Sequence, residues 1–230
     1  MRQMTEREDR NATILLQVFI IAMYVVMSAC VLADVMPGTR YGHPPEYLLS
    51  TYVATSLLIS VIPILRLTGV VRMPWWFNLL LVFDLYFYSI SLSLGFYMND
   101  DIAWWGFLGH VMSAICIGAI VFLALCVIEK QSPVRVTLGS RAGVILITML
   151  ITISFGGIWE VMEGYVDIIV GQAYMSYGVF DSLDDLRADV LGAIFMAIIA
   201  AFIMRKKSAA DVASNTVVRN PFKGRKKDRV

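Results

Sequence analysis

Of the 230 residues, 58% are hydrophobic and 16% are charged, whereas about a quarter of an ordinary soluble domain is charged. A water-soluble globule of this composition would aggregate, so that class is excluded. The formal net charge of +1 says nothing about partners, and no nucleic-acid partner is expected.

A membrane-spanning helix needs about 20 mainly apolar residues, because the hydrocarbon core is roughly 30 Å thick and each residue rises about 1.5 Å. Six stretches qualify, at 13–32, 47–65, 75–96, 104–128, 142–168 and 182–204. The fold class expected is all-α, a polytopic transmembrane bundle over 1–204 followed by a basic, disordered tail over 205–230. Ahead of the first stretch stand Glu6, Glu8 and Asp9, and signal peptides open with net positive charge. The first helix is therefore expected to be retained. In the third, Asp84 lies near Tyr86 and Tyr88 and reads as an interhelical packing contact.

Trp75 with Trp76, and Trp104 with Trp105, open the third and fourth stretches, where indoles anchor at the headgroup level. Cys30, Cys116 and Cys126 have no metal-ligand spacing and read as packing residues. Gly156-Gly157 marks a place where the fifth helix can kink. The tail opens on Arg205-Lys206-Lys207, a cluster suited to anionic headgroups.

Orientation follows from the basic residues. Seventeen of the 19 Lys and Arg lie in the amino-terminal arm, the second and fourth connections and the tail; Arg40 and Arg187 lie in the others. The positive-inside rule then puts both termini in the cytoplasm of a multi-pass cell-membrane protein.

Polar residues within these stretches mark the site. His110 is in the fourth helix, Glu160 and Glu163 in the fifth, and Asp185 and Asp189 in the sixth. An ionised carboxylate at mid-bilayer costs roughly 2.5–3.5 kcal/mol, so several together require a cation, shared protons or water. Counting from the outer helix ends places His110, Glu160, Glu163 and Asp189 at one depth, roughly 8–12 Å below the outer surface. They are expected to surround one cavity, with Asp185 nearer its mouth. Asp181, Asp185 and Asp189 form an i, i+4 stripe, and Glu160, Glu163 and Asp167 another. A plainer reading also exists: Ser182-x-x-Asp185 fits a capping box, and Asp184 reads as a solvated loop residue.

The stretch Trp159-Glu160-Val161-Met162-Glu163, with the run from Asp181 through Asp185 and Asp189 to Leu191-Gly192-Ala193, resembles the YjdF-like integral membrane proteins and, more remotely, the VanZ-like family. The likeness covers 104–199, and His110 matches the family histidine. It implies a compact helical bundle with a polar site and, through the VanZ-like members, an association with the cell envelope and glycopeptide resistance. Such proteins often carry an Asp four residues before the His; here that position is Gly106, with Asp84, Asp100 and Asp101 as possible substitutes.

Three functions fit these residues. The first is metal-assisted chemistry on a lipid-linked or headgroup substrate at the outer leaflet, with His110, Glu160, Asp185 and Asp189 holding Mg, Mn or Zn and Glu163 as the catalytic base. The second is a cation or proton-coupled transporter, for which six helices imply a homodimer. The third is a non-catalytic envelope or resistance factor. Membrane lipids are the expected surroundings in all three.

Overall fold

A computed structural model describes residues 6–40, 43–72, 75–98, 102, 104–131, 139–171, 175, 179–214 and 216–218. Among the described residues the regular structure is helical apart from one two-residue strand pair. In order it forms α1 (Glu6–Leu32), α2 (Pro37–Arg40), α3 (Pro45–Leu67), β1 (Val71–Arg72), α4 (Trp75–Ser93), a 3-10 turn (Phe96–Met98), α5 (Trp104–Gln131), α6 (Arg141–Val170), α7 (Val179–Lys206), α8 (Ala209–Val212) and β2 (Val217–Val218). Helices α1, α3, α5, α6 and α7 are long and apolar enough to cross a membrane, whereas the apolar run of α4 in the described residues, Asn78–Ser93, is shorter.

Local signals set the helix ends. Pro45 opens α3 after Pro44 in extended conformation, a first-turn position where a missing N–H costs nothing. Ser140 caps α6 by accepting from the Gly143 amide at 2.9 Å, and Gly171 closes it with φ 76°, a left-handed conformation that favours glycine. Helix α6 is continuous across Gly156-Gly157.

Two packing units result. In the first, α1, α3 and α4 bury Ile20, Tyr24, Leu48, Tyr52, Ile59 and Val82. Hydroxyls join them: Ser89 Oγ is 3.0 Å from Tyr24 Oη and 3.2 Å from Thr55 Oγ1. In the second, α5, α6 and α7 bury Phe122, Leu125, Cys126, Val144, Met196 and Ala200. Lipid offers apolar side chains no hydrophobic drive to associate, so close approach through small residues carries this contact. A Cβ on Gly192 would stand 2.6 Å from the Val111 carbonyl, and one on Gly118 2.7 Å from Met196 Cγ.

The bundle has two distinguishable ends. At one, β1 pairs antiparallel with β2, and Lys130 Nζ at the end of α5 donates to the Ala213 carbonyl at 3.0 Å. Helix α4 starts at this end, just after β1, and finishes at the other beside the turn containing Tyr97.

The described part of the tail folds back on the bundle. Helix α7 continues to Lys206, and Ser208 with Asp211 forms a capping box on α8. Ala213 and Thr216 are buried. The sequence hid this because one helical turn is too short for apolar periodicity. Residues 219–230 lie outside the described part.

Candidate functional site

The cavity lies at the end of the bundle opposite β1, β2 and α8, with a volume of about 120 Å³. That far exceeds the roughly 10–15 Å³ that admits one water. Helix α5 contributes Gly106 and His110, α6 contributes Glu163, and α7 contributes Asp181 and Asp185. The facing wall is built from His43, Tyr47, Tyr88 and Tyr97, so the site sits at the junction of the two packing units.

His110 is the centre. Its Nε2 is 3.5 Å from Asp185 Oδ2 and its Nδ1 is 3.5 Å from Asp189 Oδ1. Two carboxylates one helical turn apart on α7 thus flank a single imidazole, because the i, i+4 spacing stacks them on one face. Glu160 reaches the same centre from α6: one oxygen of Glu160, one of Asp185 and a ring nitrogen of His110 all lie within 4.8 Å of one another.

Glu160 is 8% exposed, and neither carboxylate oxygen has a hydrogen-bond partner among the described residues, although the Ser182 hydroxyl is close by. Asp189 is 5% exposed, with Oδ2 likewise unpartnered. Unbonded buried carboxylate oxygens are costly. Glu163 is different: Trp159 Nε1 donates to its Oε1 at 2.6 Å, fixing it on the cavity wall.

The residues expected around one cavity divide into two groups. Glu163, His110 and Asp185 do share the cavity, but Glu160 and Asp189 are not part of its wall; they lie behind it, buried. Asp189 also falls outside the three-residue ligand set and acts on His110 instead.

Other expectations are corrected by the helix ends. Because α7 begins at Val179, Ser182 is already inside the helix and is not its cap, which frees Asp185 to face His110. Asp184 is helical, exposed, and paired with Arg187. Asp167 does not join Glu163 at the cavity; it accepts from the Met175 amide at 2.9 Å and ties down the connection to α7. Trp105 donates to Ser91 Oγ and stacks on Phe87, so its indole is tied to α4. The side chains of Trp75 and Trp76, and all of Asp100 and Asp101, lie outside the described residues.

Asp84 accepts a hydrogen bond from Ser113 Oγ at 2.8 Å, a helix-to-helix contact as its sequence context indicates. Gly106, which stands where related proteins often carry Asp, is on the cavity wall with Tyr97 4.0 Å from its Cβ position.

His43 was not singled out by the sequence. It stands outside every predicted helix, and its only signal is scarcity, since the chain has two histidines and both reach this cavity.

Comparison with known families matches residues 12–206 to the family described as predicted membrane protein DUF2238. The match spans most of the chain, which therefore belongs to that family. No curated protein and no solved structure matches it.

Proposed function

We propose that this membrane protein holds a divalent metal ion at the inner side of the cavity and uses it in chemistry on a membrane-lipid headgroup or a lipid-linked substrate. The observation that carries this reading is Glu160, buried with neither carboxylate oxygen hydrogen-bonded among the described residues, one of whose oxygens lies within 4.8 Å of a ring nitrogen of His110 and a carboxylate oxygen of Asp185. Ligand atoms around a tetrahedral ion at about 2.1 Å stand roughly 3.4 Å apart, so side-chain shifts of about 1 Å would close the set.

The ligands are His110, Glu160 and Asp185. Asp189 takes the Nδ1–H of His110 and leaves Nε2 for the metal, the carboxylate–imidazole arrangement that fixes a ligand's tautomer and direction. One imidazole with two carboxylates suits Zn or Mn better than Mg. Such an ion polarises a substrate oxygen and lowers the pKa of bound water. Glu163, held by Trp159 on the cavity wall, is then the base facing whatever enters.

The proposed topology has six crossings, with both termini and the tail in the cytoplasm and the cavity toward the outer leaflet. Support comes from α4, which runs from the end shared by β1, β2 and α8 to the cavity end. The basic Lys130 and Arg72 lie at the former end, as the positive-inside rule requires. Within this family, the Asp181-to-Ala193 run is read as the YjdF-like signature.

A second reading, proton or cation transport, is favoured by the Asp84–Ser113 pair, since Ser113 lies one turn deeper on α5 than His110. The two readings separate in one experiment. Purified protein titrated with Zn, Mn, Mg and Ca in a calorimeter is expected to bind one Zn or Mn, and ion at about 100 times Kd raises stability by about 2.7 kcal/mol. If no ion binds at neutral pH, the metal reading falls and proton relay takes its place.

A further inference from the structure

The wall facing the acids has its own chemistry. His43 is 3% exposed, and its Nε2 has no hydrogen-bond partner among the described residues. The ring is held in place: its amide donates to the Gly38 carbonyl at 3.2 Å, Pro44 and Pro45 follow it, and it stacks on Tyr47 with centroids 5.7 Å apart. Burial pushes the His43 imidazole below its ordinary value of 6.5, so it is neutral at pH 7. A neutral imidazole with a vacant nitrogen inside a protein is a group awaiting a partner, because an unmade buried hydrogen bond costs about 1–3 kcal/mol.

The rest of the wall indicates which partner. Tyr47, Tyr88 and Tyr97 surround the space with phenol rings, and Glu163 and Asp181 add carboxylates. Among the described lining residues there is no Lys or Arg. Arg187, on the same helix as Asp181, is exposed and paired with Asp184. A phosphate would find few donors here, while a cation would find both carboxylates and ring faces.

We infer that the cavity binds a primary ammonium group, with His43 Nε2 accepting one of its N–H bonds, Glu163 and Asp181 supplying negative charge, and the tyrosine rings enclosing it. This rests on the reading of the cavity as the place where substrate enters, and it names the substrate class. A primary ammonium carries three N–H donors, whereas a quaternary one has none to give His43. The group can come from a soluble amine or from an aminolipid headgroup.

With two histidines in the chain, ring-15N-histidine labelling of the full protein, purified on a histidine-free tag into phosphatidylglycerol nanodiscs, yields two imidazoles. Either His43→Gln or His110→Gln assigns them. Ethanolamine is expected to shift the His43 signal saturably, at a concentration at least tenfold lower than choline requires. Nanodiscs containing phosphatidylethanolamine show the same shift without added amine if the headgroup is the source, and show it only on adding ethanolamine if the soluble amine is. Equal responses to ethanolamine and choline overturn the inference. So does a response to inorganic phosphate alone, or no His43 response to amine in either lipid. Zn is titrated separately and read at His110: silence there, with His43 answering ethanolamine, sinks the metal reading and leaves the ammonium site intact.

Discussion

The carboxylate of Asp189 occupies the space that a side chain at position 156 would need: a Cβ on Gly156 would stand 2.7 Å from Asp189 Cγ and 2.8 Å from its Cβ. The glycine that the sequence marks as a possible kink leaves α6 unbroken and instead admits the group that orients His110. Gly156→Ala is therefore expected to push Asp189 away from His110 and weaken metal binding about 10–100-fold, the usual penalty for disturbing a ligand's hydrogen-bond partner. It also costs about 1–3 kcal/mol of stability through overpacking. Gly157, with nothing within 4 Å of its Cβ position, is the control: alanine there leaves metal affinity intact and stabilises the helix by up to about 1 kcal/mol. Calorimetric titration and thermal unfolding of both variants check this.

Ligand and orienting carboxylates separate in a second pair of variants. Glu160→Gln removes a proposed ligand and is expected to abolish the metal-dependent rise in melting temperature. Asp189→Asn is expected to weaken metal binding about 10–100-fold while keeping saturable binding. Asp184→Ala, on the exposed face with Arg187, leaves the rise unchanged. Equal loss in the Glu160 and Asp189 variants would restore Asp189 to the ligand set.

The helices were legible because lipid imposes a strong rule, a long uncharged stretch, and five of the expected six stretches are helices that meet it outright. Helical rise alone put His110, Glu160, Glu163 and Asp189 at one depth with Asp185 nearer the mouth, since depth follows residue count. What counting cannot give is rotation about each helix axis. That is why Glu160 and Asp189 were expected on the cavity wall and lie behind it, and why Trp105 turns inward to Ser91. His43 was missed for a different reason: it stands in a connection, where neither depth nor periodicity applies. The docking of Thr216 and Val217 depends on partners far away in sequence, and no local pattern announces it.

Acid should weaken the fold through His43. Its folded pKa lies below the ordinary 6.5, so between those two values the unfolded chain binds a proton that the folded chain refuses. Stability therefore falls as pH drops through 6.5 and stops falling for this reason only below the folded value. Every other cavity residue is common to the wild type and His43→Gln, so the difference between the two isolates His43. Thermal unfolding from about pH 8 to pH 5 is expected to show a shallower acid loss in His43→Gln; identical slopes would mean that His43 is protonated in place.

At the other end of the molecule, the tail should come loose without disturbing the cavity. Helix α8 is four residues long with no fully buried residue, and beside the partial packing of Ala209 and Val212 on the α5–α7 core its turn is held by the reciprocal bonds of Ser208 and Asp211. The Asp211 carboxylate accepts from the Ser208 amide at 2.8 Å and from its hydroxyl at 2.6 Å, while Ser208 Oγ accepts from the Asp211 amide at 3.2 Å. Just beyond, Ala213 is held by Lys130, and Val217–Val218 pair with β1. Asp211→Ala is expected to raise amide hydrogen exchange across 209–218 by more than about tenfold, because such a segment opens locally at a small fraction of the global unfolding free energy. The cores of α5, α6 and α7 should keep their protection. The Ser208 bonds hold the Asp211 carboxyl below its ordinary value, so its contribution is complete above the unfolded pKa and is lost as pH falls through the lower folded one. Acidification should therefore reproduce the exchange pattern of Asp211→Ala in the wild type. Unchanged exchange in the variant would mean that Lys130 and the strand pair hold the tail by themselves.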